Sequence, residues 1–509
     1  MRIRNVFIVV SLTGFLVCGQ SPARQPATSP EVREALDGIR AEALRGDLSF
    51  IASDLLEGRD SPSRGLDIAA EYIAAQFRIA GLEPGVRGDY FQAAEMVSVE
   101  PNFANFEMQL SRGKAQLTVH PNEVALRLNR EIDLNNAPLF KLDLADSELL
   151  DHLTSEQLDG KVVITEFNPR LIYRLRGARQ ALSAAKPALT ILVDRDAITT
   201  RQEPSHRLES PDKTSDRTPD RNPASARITL SGEAAARFYA GLKPGLSDAF
   251  ITAHVAAPLR KRAILRNVIG ILRGSDPALR DTCILLTAHY DHLGMRPGGR
   301  GDRIYNGAND NGSGTVSVIA AARALAELKQ RPKRSILFIA FFGEEEGLLG
   351  SEYYAHHPVW PLDKTDAQLN LEQVGRTDST EGPQISSATL TGFDYTSLTS
   401  YVERAGASTG VRIYKHMTNS DAYFPDSDNL SLAEAGVPAE TLAVTFDFPD
   451  YHAVGDEWQK IDYNNMAQVD RAITLSVYLM ANSGQAVHWN EDNPKTAPYV
   501  KAWDRLRGQ

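Results

Sequence analysis

Two histidines and three acidic residues in the second half of the chain are of the right types to share divalent metal ions. They are His289 in Ala-His-Tyr-Asp, Asp310 in Ala-Asn-Asp-Asn, Glu345 in Gly-Glu-Glu-Glu, Glu372 in Asn-Leu-Glu and His452 in Asp-Tyr-His. Imidazoles and carboxylates without a thiolate suit zinc or a similar borderline ion. A carboxylate lying between two ions can bridge them, a role expected of Asp310. Two ions about 3.5–4 Å apart lower the pKa of a shared water and polarise a carbonyl together. Adjacent residues at a strand end can divide the labour, Glu345 as ligand and Glu344 as the base that takes the water's proton. Asp291, two residues from His289 and so on the same side of a strand, is spaced to orient the imidazole. Any one of these residues alone is more often a solvated charge than a ligand. His292, His356 and His357 read as surface or supporting residues.

These residues need elements that bring them to one place. Residues 283–288 and 335–342 are continuous apolar runs, as in strands buried on both faces. Between them residues 312–329 form an Ala-rich helical pattern, and residues 466–480 supply a late amphipathic helix. Such alternation predicts a three-layer α/β domain. The candidate ligands stand where strands run out, and open α/β sheets bind ligands beyond the carboxyl ends of their strands. Upstream, residues 31–81 read as helical, with Leu66, Ala69, Ile73 and Phe77 on one face and Gly81 as the stop. Residues 97–256 change to short β-like runs, at 161–165 and 188–193, around a helical segment at 176–185. Residues 204–223 read as a long exposed loop.

At 509 residues the chain calls for at least two domains. A net charge of −10 argues against a nucleic-acid partner, which requires a basic face. Arg2 and Arg4 precede an apolar stretch at 6–17, too short to span a bilayer, and small residues follow. This predicts a signal peptide over 1–19, export to the periplasm or medium, and no stable membrane insertion after cleavage. A lipid anchor on Cys18 is the minority reading, because Val17 is bulkier than the preceding residue such anchoring favours. Cys283 would then be the one thiol of the mature chain, read as a buried small hydrophobe.

The motifs together resemble the M28 family of metallopeptidases. The resembling text is A-H-Y-D-H-L-G from Ala288, N-G-A-N-D-N-G-S-G from Asn306, F-G-E-E-E-G-L-L-G-S from Phe342, N-L-E-Q-V-G from Asn370, S-D-N from Ser427, A-G-V-P from Ala435, and D-Y-H with Asp456 behind it. The resemblance implies a zinc-exopeptidase-like domain with a mixed central sheet, two Zn2+ ions, His289, Asp310, Glu345 and His452 as ligands, Glu344 as base and peptides as substrates. Glu372 stands where the family most often has Asp, Asn309 where many members have Asp, and Asn429 where many have His, with Leu432 in place of a following aromatic. Tyr423 is the candidate for the tyrosine that steadies the oxyanion. Residues 53–59 and the helix after them resemble the N-terminal segment of bacterial members. Residues 158–164 with 188–193 are similar to a protease-associated insert. The expected division is 1–19 signal, 20–96 linker and N-terminal helical segment, 97–256 protease-associated-like insert, and 257–509 catalytic domain. Aminopeptidase is the leading reading, with an acidic rim for the substrate's α-ammonium. Carboxypeptidase is the runner-up and needs a cation such as Arg376 or Lys415 at the site. Glutaminyl cyclase, with a single zinc, and a non-catalytic binding ectodomain are the further alternatives.

Overall fold

A computed structural model describes residues 29–167, 185–195, 206–210, 226–295 and 301–508. The expected signal peptide, all but the last residue of the helical segment at 176–185 and most of the loop at 204–223 lie outside the described residues.

The strands that carry the candidate ligands form the middle of a ten-stranded sheet. Its order runs Arg412–Tyr414, Ser387–Leu390, Ala439–Ala443, Thr365–Glu372, Cys283–His289, Ser335–Phe341, Leu259–Leu272, Phe91–Glu100, Arg207–Glu209, with Glu83–Pro84 paired onto Leu259–Leu272. Cys283–His289 is parallel to both its neighbours, and Thr365–Glu372 is parallel to Ala439–Ala443. Leu259–Leu272 pairs antiparallel with Ser335–Phe341 and with Phe91–Glu100, so the sheet is mixed.

Strand alternation divides the core into two layers. Ile284, Leu286 and Ala288 pack with Leu48, Phe77, Val316 and Met466 from the helices Ala41–Ile51, Arg64–Ile79, Gly314–Ala326 and Tyr463–Asn482. Cys283 and Leu285 face the other way, onto Tyr354, Leu432 and Trp489. Helix, sheet and helix therefore make three layers. The face expected from the spacing of Leu66, Ala69, Ile73 and Phe77 is buried in full. Cys283 is buried in this core, and loss of solvation pushes its thiol up to about 12.

Between Phe91–Glu100 and Leu259–Leu272 the chain builds a second sheet of eight strands, ordered Ala115–Thr118, Glu107–Arg112, Gly245–Val255, Ile132–Lys141, Val162–Glu166, Leu189–Asp194, Arg227–Ser231, Val124–Arg127. It has its own apolar core around Leu110, Leu139, Ile191 and Ile251. Among the described residues no helix is long and apolar enough to cross a membrane.

One part of the N-terminal segment is threaded into the sheet's functional edge. Arg59, 0 % exposed, donates to four backbone carbonyls: Tyr290 (2.8 Å), Ile51 (2.6 Å), Asn306 (2.7 Å) and Gly307 (2.9 Å). Gly58 sits at φ +70°, and a Cβ there would lie 2.3 Å from the Gly294 carbonyl oxygen, so only glycine fits the approach.

Candidate metal centre

Parallel neighbours end at the same edge, and three of these strands deliver the candidate residues there. His289 and Glu372 are the last residues of Cys283–His289 and Thr365–Glu372. Glu344 and Glu345 follow Ser335–Phe341 after Gly343, whose φ of +65° turns the chain. Asp310 lies in the irregular turn Ala308–Ser313 that opens the helix Gly314–Ala326. His452 comes from the loop after Ala439–Ala443, at φ +51°.

The five converge, and Asp310 is in the middle. His289 Nε2 lies 3.5 Å from Asp310 Oδ1 and 3.3 Å from Glu372 Oε1. His452 Nε2 lies 3.1 Å from Asp310 Oδ2 and 3.4 Å from Glu345 Oε2. Each imidazole thus shares with one further carboxylate a different oxygen of Asp310. Glu344 Oε2 is 3.9 Å from His289 Nε2, beside both groups. The longer side chain of Glu372 reaches the cluster, and Ser427 Oγ donates to its Oε1 at 2.7 Å.

A supporting layer fixes these positions. Asp291 Oδ1 lies 3.5 Å from His289 Nδ1 and accepts the Glu344 N–H at 3.2 Å. Asp456 accepts the N–H groups of Asn309 and Asp310, both at 2.9 Å. Asn309 does not face the cluster. Its Oδ1 accepts the N–H groups of Gly375 and Arg376 at 2.8 and 3.0 Å, so it fastens the Asp310 turn to the loop after Glu372. His292, read from sequence as surface or supporting, is 1 % exposed, and its Nδ1 lies 2.7 Å from Glu345 Oε1. Since the other oxygen of Glu345 faces His452, His292 holds the carboxylate from behind. His356 and His357 are exposed.

The electrostatics follow from crowding acidic groups in a buried place. Burial, reinforced by Glu345 and Glu372, raises Glu344 well above the usual carboxylate range although His289 pulls it down. Glu372 is raised by burial as well. Burial alone would raise Asp310, but hydrogen bonds from His289 and His452 hold it well below its ordinary value. Burial opposes charge on His452, yet Glu345 and Asp310 raise it to about 9. Two basic imidazoles among carboxylates are a donor set that exchanges protons for metal ions.

Tyr423 is not brought to this cluster. It stacks on Phe446, ring centroids 5.1 Å apart, in the field of Glu381, Asp447 and Asp426. Tyr451 is the tyrosine at the site. Its ring stacks on His452 at 4.0 Å, and burial together with Asp310, Glu345, Glu344 and Glu372 raises its hydroxyl above the usual tyrosine range. The residue is 42 % exposed, and its hydroxyl lies in the field of these carboxylates. Its position beside a ligand in Asp-Tyr-His was the sequence signal for it. Asn429 and Leu432 are core residues: Asn429 bonds the Phe424 carbonyl and Thr441, and Leu432 is 0 % exposed. Arg376 is engaged by Asp378 and Asp450, and Lys415 by Asp394.

Residues 267–477 match the sequence profile of Peptidase family M28. Aminopeptidase YwaD of Bacillus subtilis is 29% identical over 281 residues, covering 52% of this chain and 55% of that protein. A probable zinc metalloprotease of Leptosphaeria maculans is 32% identical over 158 residues, covering 29% of this chain and 33% of its own. The chain thus spans about half or less of the length of these relatives. In fold it is similar to an aminopeptidase from Aneurinibacillus sp. strain AM-1, with a TM-score of 0.57 at 19% identity over 90% of this chain and 97% of that one. A zinc aminopeptidase from Bacillus subtilis also gives 0.57 at 19% identity, over 86% of this chain and 95% of that one. With the mixed sheet and the ligand-bearing strand ends in place, residues 267–477 are a domain of peptidase family M28.

Proposed function

We propose that the chain is an exported di-zinc aminopeptidase that removes N-terminal residues from peptides. The observation that carries this reading is the division of Asp310, one oxygen toward His289 and the other toward His452. His289, Glu372 and Asp310 would hold one zinc ion, and His452, Glu345 and Asp310 the other. The donor set fits: both imidazoles turn Nε2 inward, and Asp291 sits at Nδ1 of His289 as metal-bound histidines require. When bound, the ion pair supplies Lewis acidity that activates a water and polarises the substrate carbonyl.

The chain's own groups do the rest. Glu344, raised by burial and close to both groups, takes the proton of the attacking water and returns it to the leaving amine. The Tyr451 hydroxyl stays protonated and donates to the oxygen on which charge develops. The acidic surroundings favour a substrate's α-ammonium. A carboxypeptidase would need a cation to receive a terminal carboxylate, and both sequence candidates, Arg376 and Lys415, are committed to aspartates. The second sheet fits the reading of residues 97–256 as a protease-associated insert, and the pattern of residues 1–19 supports export.

The test is zinc content of the purified chain and of Glu344→Gln, with amino-acid release from a free and an N-acetylated peptide. Close to two zinc ions at the His289/His452 site, turnover of the free peptide alone, and its loss in Glu344→Gln are expected. Release from the C-terminus of the acetylated peptide would assign a carboxypeptidase instead. Absence of both zinc and turnover would leave a binding ectodomain.

A further inference from the structure

Glu372 reaches the cluster on a side chain with one more rotatable bond than an aspartate, and that freedom must be frozen before its carboxylate can serve as a ligand. Among the described residues, Ser427 is the one hydrogen-bond donor besides His289 that reaches this carboxylate. Both meet the same oxygen: Oε1 accepts from Ser427 Oγ at 2.7 Å and faces His289 Nε2 at 3.3 Å. A carboxylate oxygen has two lone pairs, so the bond to Ser427 fixes Oε1 and leaves a lone pair toward the imidazole. Glu345 is held differently, with His292 Nδ1 at 2.7 Å from its Oε1.

A serine hydroxyl can rotate, so its neighbours decide where its proton goes. Asn370 Nδ2 donates to Ser427 Oγ at 2.8 Å, which occupies the acceptor side of the hydroxyl and leaves Glu372 as the target of its proton. That holds only while Asn370 turns its amide nitrogen toward Ser427, and a buried network enforces this from two directions. On one branch Asn429 Nδ2 donates to the Phe424 carbonyl at 3.0 Å. A carbonyl can only accept, so Asn429 Oδ1 is turned to Thr441 and takes its hydroxyl proton at 2.7 Å. Thr441 Oγ1 then has only lone pairs for Asn370, whose Nδ2 donates to it at 3.2 Å. On the other branch Gln368 Nε2 meets the Asp428 carbonyl at 3.4 Å and donates to Thr287 Oγ1 at 3.0 Å. Thr287 in turn gives its proton to Asn370 Oδ1 at 2.6 Å. From Gln368 through Thr287, Asn370 and Ser427 every donor points toward Glu372, and aligned bonds of this kind strengthen one another. Glu372 and Asn429, both departures from the M28 pattern, are thereby joined through Ser427, Asn370 and Thr441.

We propose that Ser427 is the residue that positions Glu372 as a ligand, its hydroxyl aimed by Asn370 and Thr441. It sets the zinc affinity of the His289/Glu372 half of the site and leaves the His452/Glu345 half unchanged. This inference rests on the di-zinc reading above. The support is neutral from Gln368 and Asn429 through to Ser427, so it orients the carboxylate without placing a rival cation on it. Ser427 is a positioning residue: it acts through Glu372 and needs no contact with substrate.

The experiment is competition for Zn2+ between the full chain and a chromophoric chelator, in wild type, Ser427→Ala, Ser427→Thr and Thr441→Val, with circular dichroism confirming the fold of each. Ser427→Ala should weaken one of the two ions by about 10–100-fold, the usual cost of removing a partner that orients a ligand, and leave the other within about twofold. Thr441→Val keeps the shape but takes an acceptor from Asn370, and should weaken the same ion by at least about threefold. Ser427→Thr keeps the hydroxyl and should restore binding, a rescue that a merely structural role would not show. Backgrounds that each lose one histidine identify the ion: adding Ser427→Ala should weaken zinc binding in His452→Ala and not in His289→Ala. Unchanged affinity in Ser427→Ala or in Thr441→Val, equal weakening of both ions, or no rescue by threonine would overturn the proposal. Either of the first two variants decides alone if the other does not fold. Failure of the di-zinc reading looks different: wild type itself would then retain fewer than two zinc ions, and this inference would fall with it.

Discussion

Replacing Arg59 with methionine should destabilise the protein by about 3 kcal/mol, and the structure shows how that sum arises. The guanidinium donates to the carbonyls of Tyr290, Ile51, Asn306 and Gly307. The Gly307 carbonyl keeps the Gly312 N–H, at 3.1 Å, so three carbonyls bear the loss. A buried acceptor left unpaired costs about 1–3 kcal/mol, which gives roughly 6 kcal/mol for the three. Against this, methionine removes the burden of a buried cation. Burial lowers the Arg59 pKa from its ordinary value to about 10, a penalty of about 3 kcal/mol at about 1.4 kcal/mol per pKa unit. The difference is the predicted loss. Lysine should be no better than methionine, because an ammonium keeps the buried charge but cannot reproduce the planar fork of donors. Chemical denaturation of Arg59→Met and Arg59→Lys, followed by tryptophan fluorescence, measures both. A methionine variant within about 0.5 kcal/mol of wild type, or a lysine variant that restores stability, would refute the argument that carbonyl satisfaction is what Arg59 provides.

Three further outcomes are expected. Tyr451→Phe should lower kcat and kcat/KM together by about 10²–10³-fold with zinc content unchanged, the signature of a donor used on developing charge; steady-state kinetics checks it. Asp470→Asn should stabilise the protein increasingly as pH rises: burial between the helices Tyr463–Asn482 and Gly314–Ala326 lifts this carboxyl from 3.8 to about 7. The folded state then holds a proton that the unfolded state releases, so stability falls between about pH 4 and 7, by at most about 4 kcal/mol. Melting curves at pH 5 and pH 8 should show a small gain at the first and a larger one at the second. Chelation of the proposed metal ions should lower the melting temperature more at pH 8 than at pH 5.5, because a proton on Asp456, which burial raises to about 6, replaces lost positive charge only at the lower pH.

The part of the site legible in sequence is the part set by strand ends. Uninterrupted apolar runs at 283–288 and 335–342 mark interior strands, and parallel interior strands place their last residues together, so the pattern itself groups His289, Glu345 and Glu372. Side-chain direction was not legible. Asn309 and Asp310 are neighbours, yet one faces the loop at 375–376 and the other the imidazoles, because the turn Ala308–Ser313 leaves helical geometry at Asp310. Tyr451 and Tyr423 are both tyrosines on loops, and the stacking on His452 that separates them depends on tertiary packing. Of the two readings of His292, surface or supporting, the structure has the supporting one: the N-terminal segment covers the residue, its N–H donating to the Arg59 carbonyl, a long-range contact that local sequence does not encode. The order of the ten-stranded sheet, which takes strands from both sides of residues 107–255 and Arg207–Glu209 from within them, rests on long-range pairing that local periodicity does not encode.

The direction of Arg59's donors says why a buried cation can stand beside the proposed metal site without competing for it. Asp291, Asp456, Asp310 and Glu345 all lie in its electrostatic field, and their combined charge is what makes its burial tolerable. Its hydrogen bonds nonetheless go to carbonyls. An arginine in a forked pair with a ligand carboxylate would take the lone pairs a metal needs, and any ion would have to displace it. Arg376 illustrates the contrast, since its fork closes on Asp378, a carboxylate outside the cluster, and it reaches Asp450 at the base of the Tyr451–His452 loop. The two arginines therefore divide the work by chemistry. Arg59 moderates the charge of the acidic cluster through space while holding the backbone that carries it, and Arg376 fastens the loop that brings His452. The carboxylate oxygens of Asp310, Glu345 and Glu372 are left facing the imidazoles, which is the arrangement a pair of cations can enter.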